Sequence, residues 1–574
     1  MRLKLLLLAL ILAGNAQGAS TNIRDSVNEY VLDNGMRILM VQRPGAPMLS
    51  AGWVAHVGSA NEQPGITGIS HLFEHMMFKG SPRIGTRDSA LDAQVRGELD
   101  DVRTAMFALE RKYREQVRLG AAESINDPEL QGEDMAALKA RFAELIEQQR
   151  ENLIKDEFDQ IYTEAGATGQ NAGTTQDFTI YFIRVPRNKM ELWFWMESER
   201  LTQPVFREFY SERDVVYEER RMRTDSTPTG AQDEVFESLL WRGHPYGWPV
   251  VGWPSDISSI TRKQAEDYFD LYYAPNNLTV ALVGDFDEVK ALEMANDYFG
   301  GIPRGANEPP DVVTLGMPLL GDLEYRAEVE APPSVSVHFR TTAFDGVDDP
   351  ALQLLNQVLS GKTGRLYKRL VLEDQIATSA GAASDGKKYD GQFVLSASGK
   401  SDIAPEQLKA VLLEEIEKIQ TDGITEYELE KAQNQLKAYL FRRLEDNFSL
   451  MIQLLVYDGM RDWTTMDTND ARIAEVTRED VQRVAQKYFT ADNRASKLFT
   501  RKASVEPEDP ALAAFSDEQK QMISQMMANV GAAPPEAIPE VIGQMEQFKA
   551  QASPEEAAAL DYIIGKLSAK GAAQ

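Results

Sequence analysis

Two segments of the 574-residue chain share one frame. ITRKQAEDYFDLYYAPNNLTVALVGD (260–285) and VTREDVQRVAQKYFTADNRASKLFTR (476–501) match at Thr261/Thr477, Arg262/Arg478, Tyr272/Tyr488 and Asn277/Asn493. The offset, 477 − 261 = 216, is the same at all four pairs. A helix ending in aromatic residues, a turn and a strand recur as a unit, without gaps. Such a repeat points to a duplicated module. The expected fold class is therefore α+β, with two similar α/β domains. We place them at 21–305 and 319–503, joined by a Gly- and Pro-containing linker at 306–318.

The first half reads as alternating element types. NEYVLDNGMRILMVQ (28–42) predicts a β-hairpin around Asp33-Asn34-Gly35, a strong turn signal. A strand is expected at 48–57 and a helix at 66–78, then a strand at 178–185 and helices at 188–202 and 208–223. Between them, 87–155 is rich in Ala, Glu, Arg and Leu and breaks at Asn126-Asp127-Pro128, which predicts an inserted helical hairpin. Residues 504–574 read as a helical or partly disordered tail.

The first residues carry an address. Arg2 and Lys4 precede LLLLALILA (5–13), with small residues at Ala16 and Gly18. These are the parts of a cleavable signal peptide at 1–18, and they predict a periplasmic or secreted protein. The apolar run is too short to span a bilayer and no later segment is long enough, so no membrane insertion is expected after cleavage. The chain has no cysteine, which excludes disulfides, a thiol nucleophile and cysteine-ligated metals. A formal charge of −29 excludes general electrostatic binding to nucleic acid. It reads first as solubility, and second as attraction for cationic peptides.

Only five histidines occur, yet two stand four residues apart in HLFEHMMFKG (71–80). Apolar residues at Ile69, Leu72, Phe73, Met76 and Met77 put this stretch on an amphipathic helix. His71 and His75 then project from one face, one turn apart, and can hold one metal ion. Glu74 reaches the edge of the same site. Catalytic zinc needs three protein ligands and an open position. Glu74 cannot comfortably serve as both ligand and base, so a third ligand must come from elsewhere. In SERDVVYEERRMR (211–223), Glu212 and Glu219 are two turns apart and share a helix face. One of the two could ligate the metal and the other orient the site. His56, His244 and His338 read as structural.

HLFEHMMFKG, NAGTTQDFTIYF (171–182) and ERDVVYEE (212–219) followed by basic residues resemble the pitrilysin–insulinase–mitochondrial processing peptidase family of zinc peptidases. HPYGWPVVG (244–252) and LSGKTGRLYKRL (359–370) resemble family segments too, and the resemblance runs over roughly residues 25–503. It implies one zinc ion per chain on His71, His75 and Glu219, with Glu212 in support. Glu74 would be the base that activates water at the zinc. Asn171 and Ala172 would lie on an edge strand that pairs with extended peptide substrates. In that family two halves close like a clamshell around a chamber. This chain would supply one half and act as a dimer, a metalloendopeptidase for peptides or unfolded segments.

Two departures matter. The interval from His75 to Glu219 is 219 − 75 = 144 residues, about twice the family's, and the inserted hairpin accounts for the excess. The family's active members also carry an Arg and, seven residues on, a Tyr that grip the substrate. VLEDQIAT (371–378) has Val371 and Thr378 instead, while Arg365, Tyr367 and Arg369 nearby read as ordinary helix residues. The expected partner is thus a second copy, or a related chain that supplies the Arg/Tyr clamp. The second repeat carries Glu430 for Glu212 but Lys437 for Glu219, and its helix ending near Ser360 has no histidine. The alternative reading is a non-catalytic or partner-dependent subunit of a heterodimeric peptidase on the same scaffold.

Overall fold

The Asp33-Asn34-Gly35 turn starts the first sheet. Gly35 sits at φ +92°, a conformation that favours glycine, and Asn34 donates to the carbonyls of Phe299 and Ile302 at 2.8 and 3.0 Å. Around the turn, β1 (Asn28–Val31) pairs antiparallel with β2 (Arg37–Gln42). The computed structural model describes residues 23–502, 511–512, 515–531, 538–549 and 552–572. The signal peptide read at 1–18 lies outside them.

The first half continues with β3 (Met48–Ala55), α1 (Ile69–Met76), α2 (Ser89–Arg118), α3 (Glu133–Asn152), α4 (Glu157–Glu164), β4 (Thr168–Thr174) and β5 (Thr179–Pro186). Then come α5 (Met190–Thr202), α6 (Phe209–Arg220), α7 (Gly230–Leu240), α8 (Pro254–Ile257), α9 (Arg262–Tyr272), β6 (Leu278–Gly284) and α10 (Glu288–Phe299). The six strands run in the order β1-β2-β6-β3-β5-β4, with β2 and β6 parallel and the other pairs antiparallel. β4 is an edge strand.

The second half holds β7 (Leu323–Val329), β8 (Ser334–Thr341), α11 (Asp349–Leu359), α12 (Arg365–Tyr367), β9 (Ala377–Gly386) and β10 (Gly391–Gly399). It goes on through α13 (Pro405–Asp422), α14 (Glu426–Glu445), α15 (Asn447–Met460), α16 (Thr465–Glu475), α17 (Arg478–Tyr488) and β11 (Arg494–Arg501). Its sheet order, β7-β11-β8-β10-β9, matches β2-β6-β3-β5-β4 strand for strand, including the parallel pair.

The repeated residues do the same work in both copies. Thr261 and Thr477 each cap a helix reciprocally with the third residue on, Gln264 and Asp480. Asn277 donates to the Tyr272 carbonyl, and Asn493 to the Tyr488 carbonyl, both at 2.8 Å. Each asparagine satisfies a carbonyl that the end of its helix leaves without an intrahelical partner.

On one face of the first sheet, Trp53 packs with Leu72, Phe73, Phe194 and Phe299 from the covering helices. The other face is covered from far along the chain. Leu450, Met451, Leu454 and Leu455 of α15 lie against Val54, Ile180, Ala281 and Val283. Every residue of β6 is consequently buried. Each buried leucine or valine there contributes about 1.5–3 kcal/mol. Asp458 of α15 adds a polar tie, 2.6 Å from Arg37 Nη1 and 2.9 Å from His56 Nε2. The two sheets divide near residue 305, but α15 crosses that boundary, and all described residues up to Arg501 form one unit.

The described residues from Lys502 form a second unit. Its helices α18 (Asp517–Gly531), α19 (Ile538–Lys549) and α20 (Pro554–Ala572) gather around Ile523, Met545, Leu560 and Ile563. Among the described residues no helix is long and apolar enough to cross a membrane.

Candidate metal centre

Helix α1 is fixed at its start by a residue outside it. Gly68, at φ +89°, offers no side-chain cap. The Glu62 carboxylate takes that role, accepting from Gly68 N and Ser70 N at 2.8 Å each. Gly68 also abuts Gly252 (φ +88°): a Cβ on Gly68 would lie 2.3 Å from the Val251 carbonyl. This contact needs glycine on both sides and sets α1 against the 250–252 loop. Ile69, Leu72, Phe73 and Met76 then face the core. The remaining face carries His71, Glu74 and His75.

Helix α6 is tied to the same loop. Arg220 donates to Glu234 twice at 2.6 Å and to the Gly252 carbonyl at 3.1 Å. The chain then loosens into a π-turn over Arg221–Asp225. With both helices anchored, Glu219 Oε2 lies 3.8 Å from His71 Nε2 and 3.4 Å from His75 Nε2. Ligands about 2.0–2.1 Å from a tetrahedral zinc ion are about 3.4 Å from one another. The three atoms lie within 4.8 Å of one another, so small side-chain shifts would bring them onto one ion. Two imidazole nitrogens and one carboxylate oxygen are also a donor set that zinc accepts. Among the described residues this is the one group of His, Cys, Asp or Glu able to hold a metal.

Neighbouring groups orient the set. Glu212 Oε1 lies 2.8 Å from His75 Nδ1, which aims Nε2 at Glu219. Lys79 Nζ meets Glu212 Oε2 at 2.5 Å. Burial alone would raise the Glu212 carboxyl, but the His75 hydrogen bond and the Lys79 ammonium outweigh it and hold it down at about 2. Arg223 takes the other oxygen of Glu219 at 2.8 Å, leaving Oε2 toward the histidines. Burial, with His75 and Arg223 beside it, lowers His71 to about 3, so the ring is neutral and its nitrogen free to ligate. Burial raises the Glu74 carboxyl, although its hydrogen bond from Thr174 works the other way.

These residues face a cavity of about 670 Å³. Asn171, Ala172, Gly173 and Thr174 of β4 line it, as do Phe78, Val250 and Val251. β4 pairs with β5 on one side only, with Asn171 opposite Phe182 and Ala172 opposite Tyr181. Asn171 Oδ1 accepts from Ala172 N at 2.9 Å. Thr174 Oγ1 donates to Glu74 Oε2 at 2.5 Å.

All seven candidates from the sequence, His71, Glu74, His75, Glu212, Glu219, Asn171 and Ala172, thus line one cavity. The other histidines lie elsewhere: His56 on Asp458, His244 on Tyr246 N, His338 between Gln392 and Ser336. Near Val371 and Thr378, Arg365 is engaged twice by Glu428 at 2.7 Å and Arg369 by Asp374 at 2.7 Å. Sequence reasoning missed Thr174, Lys79 and Arg223. Arg223, four residues after Glu219, carried a helical pairing signal. Thr174 carried none.

Two family descriptions match the chain: "Insulinase (Peptidase family M16)" over residues 37–92 and "Peptidase M16 inactive domain" over residues 259–436. Zinc protease PqqE of Helicobacter pylori is 27% identical over 361 residues, which are 61% of this chain and 80% of that protein. The uncharacterized zinc protease YmxG of Bacillus subtilis is 21% identical over 479 residues, 81% of this chain and 96% of the other. Among solved structures, a protease from Helicobacter pylori matches with a TM-score of 0.67 at 23% identity, over 83% of this chain and 99% of that one. Pitrilysin matches with a TM-score of 0.59 at 16% identity, over 84% of this chain and 45% of pitrilysin. The likeness to these structures is one of fold.

Proposed function

The chain belongs to peptidase family M16, and on that premise we propose that it is an exported zinc metalloendopeptidase that cleaves peptides or unfolded segments. The observation that carries this reading is the convergence of His71 Nε2, His75 Nε2 and Glu219 Oε2 beside Glu74, in a cavity bordered by an edge strand. Zinc bound there supplies Lewis acidity, polarising a peptide carbonyl and making water acidic near neutral pH. The rest is done by the chain. Thr174 occupies Glu74 Oε2, so Oε1 is the atom that takes the proton of the attacking water and returns it to the leaving amine. Glu212 holds the His75 ring in one tautomer. Asn171 and Ala172 align an extended substrate along β4 by backbone pairing.

The reading includes a partner. The chain spans 45% of pitrilysin and 49% of the Escherichia coli periplasmic protease PqqL, the proportion expected of one half of a clamshell. Val371 and Thr378 stand where a substrate-gripping Arg and Tyr are expected. A second reading follows from that departure: a partner-dependent subunit, completed by a related chain that brings the pair. The test compares zinc content and cleavage of an unstructured peptide for the chain alone and for Glu74→Gln. One zinc in both and cleavage only by the parent supports the homodimeric enzyme. Zinc in both with no cleavage by either favours the partner-dependent subunit. Loss of zinc binding by the parent overturns both.

A further inference from the structure

The cavity has a wall that neither ligand helix nor β4 supplies. Residues 153–159, where the α2–α3 hairpin runs back into α4, line it too. Phe158 is buried beneath, and Ile154 is half-buried at the surface of this stretch.

The hairpin is pinned at this point. Its two ends meet in a short ladder, Arg87 N to the Asn152 carbonyl at 2.9 Å and Ile154 N to the Gly85 carbonyl at 3.2 Å. The buried Asn152 side chain accepts from Asp88 N at 3.0 Å and donates to the Asp88 carbonyl at 2.7 Å. The insertion therefore leaves and rejoins the fold beside the metal cluster. Its first helix is rooted there, with Asp92, Val95 and Leu99 buried.

One side chain joins this root to the site. Arg207 is 1% exposed and directly precedes the turn into α6, which carries Glu212 and Glu219. Its guanidinium donates to Asp92 of α2 at 3.0 and 3.3 Å. It also donates to the carbonyls of Lys79, Ile84 and Ser81 at 2.8, 3.0 and 3.2 Å, in the loop that follows α1. That loop makes room with glycine at φ +93°: a Cβ on Gly85 would lie 2.6 Å from Arg207 Nη1. The fork thus fixes three parts at once, the root of the hairpin, the exit of α1 and the start of α6. Guanidinium geometry suits this, since five N–H groups point in fixed directions.

We propose that residues 153–159, through which the α2–α3 hairpin rejoins the fold, are a working wall of the substrate cleft and that Arg207 is the positioning residue that sets the root of the hairpin against the metal cluster. This rests on the peptidase reading above. An extended peptide seated along β4 then meets residues 153–159, and Ile154 contacts one of its apolar side chains.

Hydrogen exchange on the full, zinc-loaded Glu74→Gln chain tests this, with excess of an unstructured synthetic peptide containing phenylalanine. Protection at both 168–174 and 153–159 is the expected result. Protection at 168–174 alone overturns the inference and leaves the peptidase reading standing; protection at neither overturns both. In the otherwise unchanged chain, Asp92→Asn keeps the size of the side chain and leaves Arg207 its three carbonyls. It should raise KM about tenfold with kcat and zinc content little changed. A purely structural role would lower Tm and zinc content together instead, and an unchanged KM overturns the role of Arg207. Should Asp92→Asn fail to fold, Ile154→Ala, at a half-buried position, should raise KM for the phenylalanine peptide more than for its alanine counterpart. Equal effects on both overturn the wall.

Discussion

Thr174 Oγ1 donates to Glu74 Oε2 at 2.5 Å, across a hundred residues of chain. The bond ties the edge strand to the residue proposed as the base. Thr174→Val keeps the shape and removes the donor. It should leave zinc content unchanged and lower kcat about tenfold, less than the 10²–10⁴-fold loss that removal of the base itself brings. Steady-state kinetics beside metal analysis reads the difference.

Glu212 should matter to metal affinity more than to chemistry. It fixes His75 through Nδ1 and is itself held by Lys79. Glu212→Gln should weaken zinc binding roughly 10–100-fold, measured by competition with a chelator. Arg223 reaches Glu219 from a side chain 74% exposed, so Arg223→Ala should cost at most about 1 kcal/mol of binding.

Burial pushes the Glu62 carboxyl up to about 8, against the two backbone N–H groups that favour its ionised form. A carboxyl raised on folding contributes stability in full below its unfolded value, about 4.5, and loses it as pH rises through about 8. Glu62→Gln should flatten that dependence. Its stability relative to the parent should improve from about pH 5 to about pH 8.5, as thermal denaturation at each pH would read.

Leu454 is fully buried between α15 and the first sheet. Leu454→Ala should cost about 2–5 kcal/mol, seen as a lower Tm. The zinc stoichiometry of the molecules that remain folded should not change, because Leu454 lies outside the cavity wall.

Local signals made much of the fold and site legible. The Asp-Asn-Gly turn, the i, i+4 histidines and the seven-residue spacing of Glu212 and Glu219 all depend on geometry within a few turns of chain. The repeat was legible because Thr261/Thr477 and Asn277/Asn493 make bonds within five residues of themselves. What stayed hidden was long-range. Nothing near Asn447 signals that α15 covers a sheet whose strands lie more than 160 residues earlier. An apolar helix specifies burial but not its partner. Arg207 is an isolated cation in the sequence, and only the fold brings Asp92 and three carbonyls around it.

The crossing of α15 has a consequence for biosynthesis. The back of the first sheet presents Val54, Ile180, Ala281 and Val283 bare until residue 460 has been made. A nascent chain that has completed all six strands still lacks the surface that closes them. Until then the apolar face is open to unwanted contacts. Helix α1, which carries His71 and His75, packs on that sheet through Leu72 and Phe73, so the metal site rests on a scaffold that is completed late, although its ligands are synthesised early.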